Sequence, residues 1–165
     1  MKTIFKPCRQ KGVAAIELAF VLPLMLILVF GITELGRALY QYNGLVKATR
    51  GAVRYLALQD LANADLGVVR QKTQNIAVCG NENCSGLPPL VTGLTTSLVI
   101  VCHYANEEPR CEKNPNPYQG VETGQGTVDM ASVAIKGFAF KSMMPWPIKD
   151  MTFASIKTTM AARYY

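Results

Sequence analysis

Two sets of residues have types and spacings that could do chemistry. Glu17 is the fifth residue of an apolar run that begins at Val13, and four cysteines, Cys79, Cys84, Cys102 and Cys111, stand far downstream of it. An unpaired carboxylate inside a lipid-compatible stretch costs on the order of 2–3 kcal/mol. Glu17 therefore calls for a cationic partner, or for a place in the headgroup zone, where a helix N-terminus favours negative charge. The cysteines form an even set that would close two disulfides in an oxidising compartment. Three pairings are open to them. The local pairs Cys79–Cys84 and Cys102–Cys111 are expected because each closes a short polar loop.

Little else in the sequence favours catalysis. His103 is the only histidine, which excludes a histidine-based triad and a multi-histidine metal site. The cysteine intervals are not the short knuckles of a zinc site. Glu107, Glu108, Glu112 and Glu122 gather in one Pro- and Gly-rich stretch, where acids ordinarily serve only solvation. There is no glycine loop to cradle phosphate. No catalytic residue, no metal and no cofactor is expected.

The element that must position Glu17 is the stretch from Gly12 to Thr33, GVAAIELAFVLPLMLILVFGIT. At about 1.5 Å per residue, Val13 to Thr33 can cross a hydrocarbon core of roughly 30 Å as one helix. Pro23 removes one backbone hydrogen bond inside that helix and is expected to bend or loosen it. Lys2, Lys6, Arg9 and Lys11 precede the span with no acid among them, and they carry most of the net charge of +6. A basic flank of this kind stays cytoplasmic, so the bulk of the chain is expected on the outer side. The same accounting leaves no basic footprint for nucleic acid.

Beyond the span, Leu35, Leu39, Tyr42, Val46, Thr49, Val53 and Leu56 recur with period 3.5, which predicts one helix continuing to about Leu58. Lys47, Arg50 and Arg54 form a basic stripe beside that seam, facing solvent or an acidic partner. Glu34 and Arg37 can pair one turn apart, worth little at a surface. Gly44 and Gly51 would permit a close helix approach. Asp60 to Asn63 supply capping chemistry for a second, shorter helix over 64–78. The remainder reads as strands at 95–103, 127–140 and 151–162. A change of phase at Lys136 and Gly137 suggests a β-bulge, and 104–126 is expected to be an exposed loop. Helices first and antiparallel strands later make an α+β fold, with a long transmembrane-plus-amphipathic helix packed on a small sheet. At 165 residues there is room for one outer domain. The expected division is a leader over 1–12, a span over 13–33, a helical continuation over 34–60 and an outer domain over 61–165.

A basic leader ending in Gly12, an apolar run from Val13 and a glutamate as its fifth residue resemble a type IV-class prepilin. The longer stretch through Tyr55, with Pro23, Gly31, Glu34, Gly36, Arg37, Asn43, Ala48, Arg50, Gly51, Ala52 and Arg54, resembles the N-terminal signature of TadE-like proteins. These are minor pilins or pseudopilins of tight-adherence (Tad/Flp) pilus systems. The resemblance implies cleavage between Gly12 and Val13 by a prepilin peptidase, residence in the bacterial inner membrane as a single-pass protein, and recruitment to a pilus. The implied partners are other Tad pilins and assembly proteins. Glu17 and Pro23 would then serve assembly, with Glu17 facing the N-terminal amine of a neighbouring subunit. Leu18 departs from the tyrosine usual in major Flp pilins, and the outer domain is far longer than theirs. Both differences point to a minor component. Two other readings remain open at this point: a tip adhesin that binds a surface or host ligand through the loop 104–126, and a plain anchored or secreted domain.

Overall fold

The chain is described by a computed structural model that covers residues 11–105, 108–111, 116–124, 126–143 and 149–162. Most of the basic leader, with Glu107 and Glu112, lies outside the described residues. One helix, α1 (Lys11–Ala57), runs the length of the molecule and passes Pro23 without interruption. At about 1.5 Å per residue it is close to 70 Å long. It stops a residue short of the expected Leu58, where the backbone closes tight turns from Leu58 to Tyr55 and from Gln59 to Leu56.

Asp60 organises the turn that follows, accepting from the backbone of Ala62 and Asn63 and from the Asn63 side chain. It does not cap the second helix. That role falls to Asp65, whose carboxylate accepts from Gly67 and Val68, so α2 (Leu66–Cys79) begins two residues later than the sequence suggests. Gly80, at φ 77°, closes its C-terminus.

The strands are β1 (Val99–His103), β2 (Val121–Thr123), β3 (Gly126–Val128), β4 (Met130–Ile135), β5 (Ala139–Phe140), β6 (Met151–Thr152) and β7 (Ile156–Ala161). The central sheet is antiparallel in the order β1-β4-β7, and a 3-10 turn, Thr96–Leu98, leads into β1. The single strands expected over 127–140 and 151–162 are each divided. No bulge lies at Lys136 and Gly137. Ile135 pairs with Ile156, Ala139 pairs with Thr152, and three residues separate the pairs on either strand, so no extra residue is inserted. The ladder opens where Gly137, at φ 75°, turns the backbone over; Lys136 still donates to Leu98 on the β1 side, and Phe153 donates to the Phe138 carbonyl across the gap. That turn puts Ile135 on one parity and the buried Phe138 and Phe140 on the other, which is the phase change seen in the sequence.

Leu45, Ala52, Val53 and Leu56 of α1 pack with Val69 and Ala77 of α2 onto Val99, Val101, Val133 and Ile135 of the sheet. The buried line along α1 is Glu34, Ala38, Leu45, Ala48, Thr49, Ala52, Val53, Leu56 and Ala57. Thr49, Val53 and Leu56 sit where the seam expects them, whereas Leu35, Leu39 and Tyr42 are exposed. The chain from 104 to 126 is also not a plain exposed loop. Cys111 and Tyr118 fold down over Ile100, Cys102 and Ala134 to make a second small core on the sheet's other face. The β2–β3 hairpin beyond it is largely exposed.

Candidate functional site

The functional residues divide along α1. Gly12 and Val13, the expected cleavage pair, stand at the start of the described part of α1 and are exposed. The span above it is apolar enough to cross a membrane, and none of its most hydrophobic window is covered by the rest of the chain. Glu17 is exposed on this surface, and no cation among the described residues pairs with it. A partner for its carboxylate must come from outside the described chain.

Glu34, the first residue past the span, is 6% exposed. Arg37 Nη2 donates to its Oε2 at 2.8 Å and to the carbonyl of Lys141 at 2.6 Å. The same guanidinium lies 4.5 Å above the Phe140 ring. Ser142 Oγ reaches the Glu34 carboxylate at 3.4 Å, and the backbone of Met143 hydrogen-bonds to it as well. Expected to be a minor surface pair, Glu34 and Arg37 instead clamp the end of β5 onto the helix just above the span. Their i, i+3 spacing was visible in the sequence, but nothing there pointed to a partner more than 100 residues away.

Lys47, Arg50 and Arg54 keep their stripe, and all three are exposed. Two adjoining clefts of about 560 and 460 Å³ flank the helix between Arg37 and Lys47, sharing Arg37, Gln41 and Thr92. Gly44 is closely approached, since a Cβ there would meet Val91 Cγ2 at 2.8 Å. The neighbour is an irregular segment rather than a second helix, and Gly51 faces open space.

Above the helix, Cys79 is bonded to Cys84 and Cys102 to Cys111. Beside the second disulfide, Glu108 is buried between two arginines, with Arg110 Nε at 2.8 Å and Arg70 Nη1 at 2.9 Å. The hydrogen bond from Arg110 is the largest cause of a carboxyl pKa below the ordinary value; burial opposes it, and Arg70 adds to the lowering. Arg110 also donates to the carbonyls of Ser97 and Val99, so this cluster ties residues 108–111 to β1 and α2. Arg70 and Glu108 are 38 residues apart, and their meeting left no trace in the sequence pattern. No group of three or more metal-ligating side chains is found among the described residues.

A family model described as TadE-like protein matches residues 12–54, which is the span and nearly all of the helical continuation. No curated protein and no solved structure matches the chain significantly.

Proposed function

We propose, from the TadE-like character of residues 12–54, that this chain is a minor pilin, or pseudopilin, of a Tad-type adhesion pilus. It is inserted in the inner membrane with its N-terminus cytoplasmic, cut between Gly12 and Val13 by a prepilin peptidase, and taken into the pilus or its priming complex. The observation that carries this reading is the division of one 47-residue helix into an uncovered apolar half and a half that forms the core of an outer domain. An ordinary anchor needs only the first half. A subunit that must leave the membrane and pack among other helices needs both, as one rigid rod.

Two further features support it. Leu35, Leu39, Tyr40 and Tyr42 continue the exposed apolar surface above the span, where a simple anchor would have turned polar. Glu17 pairs with no cation among the described residues, and the amine released at Val13 of a neighbouring subunit would match its charge. The chain acts as a structural component, and Lys47, Arg50 and Arg54 offer a basic stripe to acidic groups on an adjacent pilin or assembly protein.

The test is the intact mass of the membrane-extracted protein from cells with and without the cognate prepilin peptidase. The expected result is loss of residues 1–12 that depends on the peptidase and is abolished by Gly12→Leu. An unprocessed chain in both strains, or a cut elsewhere, overturns the assignment.

A further inference from the structure

The clamp at Glu34 fixes a second part of the chain at a known height. If Val13–Thr33 fills the hydrocarbon core, its 21 residues account for about 30 Å. The headgroup layer adds roughly 5–7 Å on each side, which is the helical rise of residues 34–37. Glu34 and Arg37 therefore stand among headgroups. Lys141, Ser142 and Met143 hydrogen-bond to those two side chains, so the end of β5 is held at the same depth. Asp150 Oδ1 accepts from the backbone of Ser142 at 2.9 Å, and Phe140 pairs with Met151, which brings the start of β6 to that level too.

The side chains presented there suit a lipid interface better than water. Met143 is 76% exposed and Met151 41% exposed, while Lys141 and Lys149 flank them with exposed ammonium groups. Flexible apolar side chains bordered by lysines are the composition of an interfacial contact: the thioethers enter the acyl boundary and the lysines reach phosphates.

We propose that Lys141 and Met143, after β5, and Lys149 and Met151, at the start of β6, rest on the outward-facing surface of the membrane that α1 crosses. They form a second foot beside the helix. The outer domain then stands on two supports in the membrane-bound state and cannot swing freely about α1. This rests on the reading of α1 as a spanning helix, and the experiment separates the two.

The full chain is reconstituted in phosphatidylcholine vesicles containing phosphatidylglycerol, with Trp146, its one tryptophan, changed to phenylalanine. Met143→Trp in that background reports on the foot, and Leu24→Trp reports on the span. Lipids brominated near the headgroup or at the acyl end are the quenchers, and iodide on both sides of the vesicle is the aqueous probe. The expected result is strong quenching of the Met143→Trp reporter by the shallow bromolipid and shielding from iodide, with the Leu24→Trp reporter quenched by the deep one. Adding Lys141→Glu and Lys149→Glu should cut the shallow quenching by about twofold or more without changing the Leu24→Trp signal. A Met143→Trp reporter that is open to iodide and unquenched, beside a deep Leu24→Trp reporter, overturns the foot and leaves the anchor standing. A Leu24→Trp reporter that no lipid quenches overturns both.

Discussion

Along α1, the residues on either side of Glu34 meet different surroundings although the backbone is one uninterrupted helix. Below it, Phe20, Leu24 and Leu28 are exposed, and none of the described residues covers them. Above it, Leu45, Val53 and Leu56 are wholly buried under two sheet strands and α2. Charge separates the halves in part, since residues 13–33 hold only Glu17 whereas Arg37, Lys47, Arg50 and Arg54 lie above Glu34, yet both halves carry leucine, valine and aromatic rings. The difference is in where the apolar side chains lie. Below Glu34 they surround the helix, which suits lipid or a ring of other helices; above it Leu45, Val53 and Leu56 line the buried side of a domain core, while Leu35, Leu39, Tyr40 and Tyr42 stay exposed. The lower half thus depends on what lies outside the chain, and the upper half on what the chain itself folds against it.

The comparison is broken most directly by truncating one large residue in each half. Leu56→Ala removes a fully buried side chain and should destabilise the outer domain by about 2–5 kcal/mol, read by urea unfolding of the protein in detergent micelles. Leu24→Ala should leave that transition within about 0.5 kcal/mol of wild type, because the domain never touches it. An equal effect from both would mean that the halves are coupled.

Next in size are the staples that only the upper region carries. Replacing Cys102 and Cys111 together by serine opens a link across 9 residues and should cost about 2–3 kcal/mol in the same assay. The Cys79–Cys84 link spans 5 residues and should cost somewhat less.

Acid should sharpen the contrast further. The carboxyl of Glu108 titrates below its ordinary value in the folded domain, held there first by the Arg110 hydrogen bond. The unfolded chain therefore binds the proton more tightly. The stability that Glu108 contributes is complete above the unfolded value of about 4.3 and is lost as pH falls through the lower folded value. Glu108→Gln should flatten the acid limb of the domain's stability profile and leave the helicity of the span unchanged.

The smallest stability effect is expected from the basic stripe. Lys47→Ala, Arg50→Ala and Arg54→Ala combined should shift unfolding by no more than about 0.5 kcal/mol per site, as exposed positions do. A loss of surface pili in such a strain, without loss of the protein, would then locate a partner contact on the upper half. Unchanged piliation would return the stripe to solvent.

Much of this architecture was legible in the chain because its signals are local. The span, the continuing helix, the α+β order of elements and the phase change near Gly137 follow from runs and periods that neighbouring residues set among themselves. The seam was legible only in its upper part. Leu35 and Leu39 outrank Glu34 and Ala38 in hydrophobicity, so a count of apolar positions selects them, yet the structure turns the helix by one residue. The small Ala38, Ala48 and Ala52 let the folded chain approach closely, and Glu34 can be buried because Arg37 and the β5 end satisfy its carboxylate. The division of the strands was missed because a glycine in a strand pattern does not by itself show that it turns the backbone over, as Gly137 does at φ 75°.

What the sequence by itself determined is how the chain divides its length: an apolar rod of membrane dimension, a helix that outlasts it, and a small domain of mixed class. Periodicity and length are properties of consecutive residues, and they need no partner to be read. What only the tertiary structure decided is which distant groups meet. Glu34 meets Ser142, Glu108 meets Arg70, and Thr49 Oγ1 shares a hydrogen bond with Thr158 Oγ1 across 109 residues. Such contacts form when burial leaves a polar group no water to bind, and that condition exists only once the helix and the sheet have closed on each other.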